Sequence, residues 1–435
     1  MYLTVFLVFI VGYLAIALEH QIKINKTASA LLVGVLCWVF LIYGRATIFP
    51  DLSDEAAFSF VSESLVAHLG DISEVLFFLM GAMTIVELID VHHGFSIITD
   101  RIKITSRVKL IWVLSLITFF LSAALDNLTT AIVMATLLRK LLKDPKDLWL
   151  FAGMVVIAAN AGGAWSPIGD VTTIMLWVGG QITALNIIRE VFLPSLVCLL
   201  VPLVTLSFQL KGNIESLVET DREQLDAEAT PKSERNLVFG TGVGLLLFVP
   251  VFKAITHLPP FMGVLFGVGV VWVLTEILHR KKPESRRKSL SIVRVLQRID
   301  TPSILFFLGI LLAVSALEAG GHLLQLSTIL DQSFDSIYVI NAIIGVLSSI
   351  IDNVPLVAGA MGMYSMDTFP QDSNFWELLA YCAGTGGSIL IIGSAAGVAI
   401  MGILRIDFIW YLKRISLLAL LGYLGGIGMY MLLNY

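Results

Sequence analysis

Residues 122–130, Ser-Ala-Ala-Leu-Asp-Asn-Leu-Thr-Thr, place a carboxylate, an amide and neighbouring hydroxyls inside an apolar run with no other charge between Lys109 and Arg139. The window 110–138 is long enough to cross a bilayer once with tilt, or to enter and return as a hairpin. Asp126 lies near its middle. An ionisable group at that depth is costly unless it faces a polar cavity or a bound ion, so a functional role is its default explanation. The same device recurs at 348–356, Ser-Ser-Ile-Ile-Asp-Asn-Val-Pro-Leu, around Asp352. A chain carrying it twice must build a protein interior within a membrane.

The rest of the composition agrees. Across 435 residues, 57% are hydrophobic and 14% charged, against about 25% charged in soluble domains. The chain is expected to be an all-α polytopic membrane protein. Its first apolar run, 2–18, has no basic segment before it and no small-residue cleavage site, so it is expected to be a retained helix. The absence of a transit peptide favours a bacterial inner membrane. The three cysteines, Cys37, Cys198 and Cys382, lie in apolar runs and are odd in number, which implies packing roles and no disulfide or metal framework.

Hydropathy and charged breaks predict spans at 3–18, 28–43 and 72–91, then the Asp126 window, then 148–178 and 191–210. The polar stretch 211–236 reads as a solvated linker. A second series follows at 237–252, 261–278 and 302–319, then a window at 337–365 around Asp352, then 376–404 and 415–433. The whole chain is expected to hold about eleven spans, these ten among them, plus two hairpins. The series correspond residue by residue. Leu-Phe-Phe-Leu at 76–79 answers the same tetrapeptide at 305–308, and Asp90 answers Glu318. Asp126-Asn127 answers Asp352-Asn353, and Ala-Asn-Ala-Gly-Gly at 159–163 answers Ala-Gly-Thr-Gly-Gly at 383–387. The chain therefore reads as an internal duplication, 1–210 and 237–435.

Basic residues orient the duplication. If both Asp windows are re-entrant hairpins, Lys23, Lys26 and the basic segments 101–109, 139–146, 211–235, 280–298 and 405–414 fall on one side, and only Arg45, Arg189 and Lys253 on the other. Single crossings would spoil that separation. The hairpin reading bases 110–138 in the cytoplasm and 337–365 outside, so the halves are inverted repeats, and 148–178 and 376–404 are broken helices, the architecture of secondary transporters.

Four stretches are polar at membrane depth: the two tips, Asn-Ala-Gly-Gly-Ala-Trp-Ser-Pro-Ile-Gly-Asp-Val-Thr-Thr at 160–173, and the Gly-rich stretch 384–397. Helix breaks there free backbone carbonyls and half-helix ends to act on charge, and such backbone is tolerated only where protein or water satisfies it. A hard cation such as Na⁺ takes oxygen ligands. One candidate half-site holds Asp126, Asn127, Thr129, Thr130, Asn160, Ser166, Asp170, Thr172 and Thr173; the other holds Asp352, Asn353, Thr385, Ser388 and Ser394. Of these, Asp126, Asn127, Asn160, Asp170, Asp352 and Asn353 are the expected Na⁺ ligands. Desolvation penalises a bare buried carboxylate, so such a group can hold either a proton or a metal ion, and their competition is a mechanism of exchange.

The Asp-Asn-Leu-Thr-Thr tip, the 160–173 stretch, the second Asp-Asn and Met-Thr-Ile-Val-Glu at 83–87 resemble the signatures of NhaD-type sodium/proton antiporters, within the ion transporter superfamily. The resemblance covers essentially the whole chain and is most specific at 160–173. It implies Na⁺ (often Li⁺) extrusion against H⁺ entry, a scaffold, a moving transport domain carrying both hairpins, and a homodimer. No cofactor or nucleic acid is expected; the partners are membrane lipid and sodium ion. Related sodium/dicarboxylate symporters carry Ser-Asn-Thr at the tips, whereas this chain has Asp in the Ser position twice, which disfavours an anionic substrate there.

Plainer explanations stand beside these. The tip Asp residues can cap half-helices, the tip Asn residues can satisfy turn backbone, the glycine pairs can serve close packing, and Thr172 and Thr173 can bond back to a helix carbonyl. Glu87 is a candidate proton relay or a structural partner of another helix. His92 and His93 are expected to be plain interfacial residues at the cytoplasm-distal end of their span. The rival functions are a sodium-coupled anion or arsenite-type carrier of the same superfamily and, remotely, an intramembrane aspartyl protease suggested by Ile-Gly-Asp at 168–170.

Overall fold

The computed structural model describes every residue except 100, 101, 103, 215–230, 281, 285, 286, 288, 289, 335 and 435. Most of the 211–236 linker thus lies outside the described residues, as do parts of the basic segments 101–109 and 280–298. Among the described residues, nine helices are long and apolar enough to cross a membrane, or ten if the bent pair Ala395–Leu404 and Phe408–Arg414 forms one span. The sole strand-like pairing among them is a lone bridge between Ser106 and Asn213. The chain is an all-helical polytopic membrane protein.

The first half contains α1 (Tyr2–Ala17), α2 (Lys26–Ile48), α3 (Asp54–Val91), α4 (Arg107–Leu125), α5 (Asn127–Leu141), α6 (Pro145–Ala164), α7 (Val171–Val178) and α8 (Ala184–Gln209). The second contains α9 (Lys232–Thr256), α10 (Pro260–His279), α11 (Thr301–Ala319), α12 (His322–Ser333), α13 (Ile337–Leu347), α14 (Asn353–Met363), α15 (Asn374–Gly386), α16 (Ala395–Leu404), α17 (Phe408–Arg414) and α18 (Ser416–Leu433).

Helix α3 departs most from hydropathy. It runs for 38 residues, where the apolar signal covers only 72–91. Asp, Glu, His and Ser dilute the signal over 54–71, but no proline breaks the helix there. Ser53 caps it, accepting from the Ala56 amide at 3.2 Å, and Asp54 and Glu55 stand in its first turn, where negative charge complements the helix dipole.

The helices pack in two groups. Helices α1, α2, α3, α9, α10 and α11 lie chiefly against one another. Small residues let α2 and α11 approach closely: a Cβ on Gly34 would come within 2.5 Å of the Gly309 carbonyl oxygen. The Trp38 Nε1 donates across the same contact to the Leu312 carbonyl at 2.9 Å. The second group contains α4 to α8, α13, α15, α16 and α18. Its centre is α6 and α15, buried almost throughout 151–164 and 375–386. Helix α14 touches both groups, through α11 on one side and α7 and α15 on the other.

Candidate functional site

Helices α6 and α15 each stop inside the protein. Beyond α6, Pro167 lacks an amide donor and cannot continue a helical ladder. The chain restarts at Asp170, whose Oδ1 accepts from the Thr172 amide and hydroxyl, both at 3.0 Å, while the Asp170 amide donates to Thr173 Oγ1 at 3.3 Å. This capping box opens α7. Beyond α15 the chain restarts at Ser394, whose Oγ accepts from the Gly397 amide at 3.1 Å and opens α16.

The two tips lie against these breaks in matching ways. Ser122 donates to the Ala159 carbonyl at 2.6 Å, and Ser348 donates to the Ala383 carbonyl at 2.8 Å. A Cβ on Gly162 would strike the Phe119 backbone, and one on Gly386 would strike the Gly345 backbone. The glycine pairs thus permit close approach, which the plainer sequence reading allowed. Ser166 donates to the Ala123 carbonyl at 2.6 Å, fastening the first break to the first tip.

Both tips and both breaks meet at one polar centre. The Asn127 amide donates to Asp170 Oδ2 at 2.5 Å and to Asn160 Oδ1 at 3.1 Å. From the other tip, Asn353 donates to Asp170 Oδ1 at 3.3 Å. Asn160 in turn donates to Ser388 Oγ and Ser394 Oγ, each at 2.9 Å. Asp170 and Asn160 are essentially inaccessible. What the sequence divides into two half-sites is therefore one network, with Asp170 as its only carboxylate.

The remaining candidates stand around it. Asp126 has φ +89° and ψ 157°, backbone space that only glycine enters readily, at a strain of about 1–3 kcal/mol. Its carboxylate accepts from the Thr129 amide and hydroxyl, both at 2.8 Å. Asp352 has φ −50° and caps α14 through the Val354 amide at 3.4 Å. Thr130 is buried with its hydroxyl unpartnered. Thr385 is turned back onto its own helix, donating to the Tyr381 carbonyl at 2.6 Å.

One contact escapes sequence reasoning. Lys26, counted there only as an orientation signal, stands at the start of α2 with Nζ 3.5 Å from Asp352 Oδ2 and 4.4 Å over the Phe306 ring. No local pattern joins positions so far apart in the chain.

Two cavities open along α3. One, of about 270 Å³, lies against α5 and is lined by Glu87, Asp90, His93, Thr129, Lys140 and Arg298 among others. Glu87 pairs there with Arg298 at 3.3 Å. The other, of about 400 Å³, is lined by His68, Asp71, Glu74, Met175, Glu318 and Met361 among others. The matched acids Asp90 and Glu318 thus fall in different cavities. Two expectations need correction. His93 shares its cavity with Lys140 and Arg298, so the end of α3 lies beside the basic segments that the charge pattern groups on one side. His92 is not interfacial but fully buried, with its Nε2 2.9 Å from His279 Nε2.

Broken helices that converge on a buried oxygen-rich centre, with acid-lined cavities leading along the bundle, define a polytopic membrane transporter. Residues 13–384 match the profile of the citrate transporter (CitMHS) family. Sodium/proton antiporter 1 of Arabidopsis thaliana is 48% identical over 98% of this chain and 71% of its own length. The Na(+)/H(+) antiporters NhaD of Vibrio cholerae and Alkalimonas amylolytica are each 30% identical, over 99% and 98% of this chain and 91% and 89% of their own. The chain belongs to the NhaD-type sodium/proton antiporters within that broader family.

Proposed function

We infer that the chain exchanges Na⁺ for H⁺ across its membrane, the activity in the names of its relatives, and that the exchange takes place at the Asp170 centre. The observation that carries the assignment of the centre is that the amides of both tips, Asn127 and Asn353, converge on the carboxylate of a broken helix. Amide hydrogens neutralise part of the field of that carboxylate. Rotation of Asn127, Asn160 and Asn353 would present Oδ1 atoms instead, giving a hard cation the oxygen ligands it needs. Thr172, Ser388 and Ser394 hold the ring of donors in place. A proton on Asp170 or Asp126 is the alternative occupant, so ion and proton exclude one another and each drives the other's release. Asp352, paired with Lys26, is a tip already neutralised. Glu87, in the cavity that reaches Thr129, is the candidate relay for protons.

On the same reading, the Asp126 and Asp352 windows are opposed re-entrant hairpins of two inverted repeats, and the group holding α4 to α8 moves against the group holding α2, α3 and α11. A homodimer, Li⁺ as a second substrate, the lack of a cofactor and a bacterial inner-membrane location complete the proposal. The bacterial relatives accord with that location, whereas those from Arabidopsis thaliana make fractionation of the source cell the direct test.

The family description favours one second reading, a carrier of carboxylate anions. Asp126 and Asp170 oppose it, since a carboxylate substrate would meet two further carboxylates with no cation paired to them. An aspartyl protease needs a free carboxylate pair around one water, whereas Asp170 is committed to amides and Asp352 to Lys26. The deciding experiment adds NaCl to everted vesicles holding a proton gradient read by a pH-sensitive dye. Dequenching with wild type that is lost in Asp170→Asn supports the reading. No response to Na⁺ or Li⁺, with uptake of labelled citrate, would replace it by the anion carrier.

A further inference from the structure

Away from the exchange centre, the ends of three helices bring His92, Glu234 and His279 together in the interior, with one ligand atom of each within 4.8 Å of the others. His92 closes α3, Glu234 is in the first turn of α9, and His279 is the last residue of α10. All three side chains are buried. The arrangement already has much of a metal site's geometry. His92 Nδ1 contacts the Leu88 carbonyl at 2.6 Å, which places the ring proton on Nδ1 and turns the Nε2 lone pair toward His279. Backbone carbonyls orient ligating histidines in this way. His279 Nε2 lies 2.9 Å from His92 Nε2 and 3.4 Å from Glu234 Oε1. Ligand atoms on a tetrahedral zinc, at about 2.0–2.1 Å from the metal, are separated by roughly 3.3 Å. Of the three edges, one therefore has the required length, a second needs to open by a few tenths of an ångström, and the third lies within 4.8 Å.

We propose that His92 Nε2, His279 Nε2 and Glu234 Oε1 form a site for a divalent transition cation of the zinc class, a clasp across α3, α9 and α10 that is separate from the Na⁺ centre. Two imidazoles and one carboxylate are a zinc-type donor set, unlike the all-oxygen set of the exchange centre. The ammonium of Lys282 now pairs with Glu234. It is the cation that the metal displaces, and its stem is long enough to carry the charge to the surface. Only unprotonated imidazoles bind the metal, with His279 shifting its proton to Nδ1, so the site weakens as pH falls.

The test uses the full chain in detergent, stripped with a chelator and titrated with Zn²⁺ against a chromophoric competitor. We expect one Zn²⁺ per chain, affinity lower by about tenfold or more in His279→Gln and Glu234→Gln, and affinity higher by about tenfold in Lys282→Met, which removes a like charge beside the metal. Retained Na⁺-driven dequenching in vesicles checks that each variant is folded. Substitution with Co²⁺ gives a second readout on the wild type alone, the visible bands of a low-coordinate imidazole–carboxylate site. The proposal is overturned if wild type takes up no stoichiometric Zn²⁺ and shows no such bands. It is equally overturned if His92→Gln and His279→Gln bind as wild type does, or if Lys282→Met binds no more tightly.

Discussion

The two Asp-Asn tips are alike in sequence and unlike in their surroundings. At the first, Asp126 is held in glycine-like backbone and accepts hydrogen bonds from the start of its own helix, chiefly from the Thr129 amide and hydroxyl. At the second, Asp352 is in ordinary backbone, caps its helix more weakly and faces the Lys26 ammonium from the other group of helices. The tip asparagines, by contrast, do the same thing, since both reach Asp170. The two tips thus place their amides equivalently and their carboxylates differently. One tip carries a charge that only hydrogen bonds stabilise, and the other carries a charge already matched by a cation.

That contrast can be broken or sharpened by mutation. Asp126→Asn and Asp170→Asn should each lower Na⁺-driven dequenching by about 100-fold or more, since even outer-shell partners of a bound metal are worth 10- to 100-fold in affinity. Substantial exchange in both would remove the carboxylates from the mechanism.

Gly162→Ala and Gly386→Ala should destabilise the protein by similar amounts, about 1–3 kcal/mol each, because a Cβ meets facing backbone at both. Thermal unfolding in detergent measures this, and clearly unequal shifts would show that the tips are not packed equivalently.

Asp352→Asn should raise the Na⁺ concentration needed for half-maximal exchange by about tenfold, near 1.4 kcal/mol, less than the loss expected at Asp126. Much of that cost is the stranded Lys26, so adding Lys26→Gln should recover part of it. A double-mutant cycle with no coupling would mean that the 3.5 Å pair does not operate in the working protein.

The smallest effect belongs to Thr129→Val. It removes the hydroxyl hydrogen bond to Asp126 and leaves the backbone ones, costing about 1 kcal/mol in Na⁺ affinity. Thr129→Ser should restore it.

Several features were legible without coordinates because they depend on local chemistry. Burying Asp126 and Asp352 in apolar windows signals function at any register, and Pro167 and the glycine pairs forecast where α6 and α15 break. The correspondence of 159–163 with 383–387 pointed to matching contacts, which Ser122 and Ser348 make. Hydropathy failed at α3, because 54–71 is polar yet capped and free of proline, so the helix continues beyond its apolar portion.

The chain's own residues therefore determined that it lies in a membrane, where its helices break and which oxygen-bearing groups are placed at depth, because desolvation cost and backbone geometry act within a few residues. Only the tertiary structure decided that two half-sites become one network around Asp170, that Lys26 answers Asp352, and that His92 is buried against His279 and Glu234. Those pairings join distant segments, and no local preference encodes which of many compatible side chains will meet once the helices have packed.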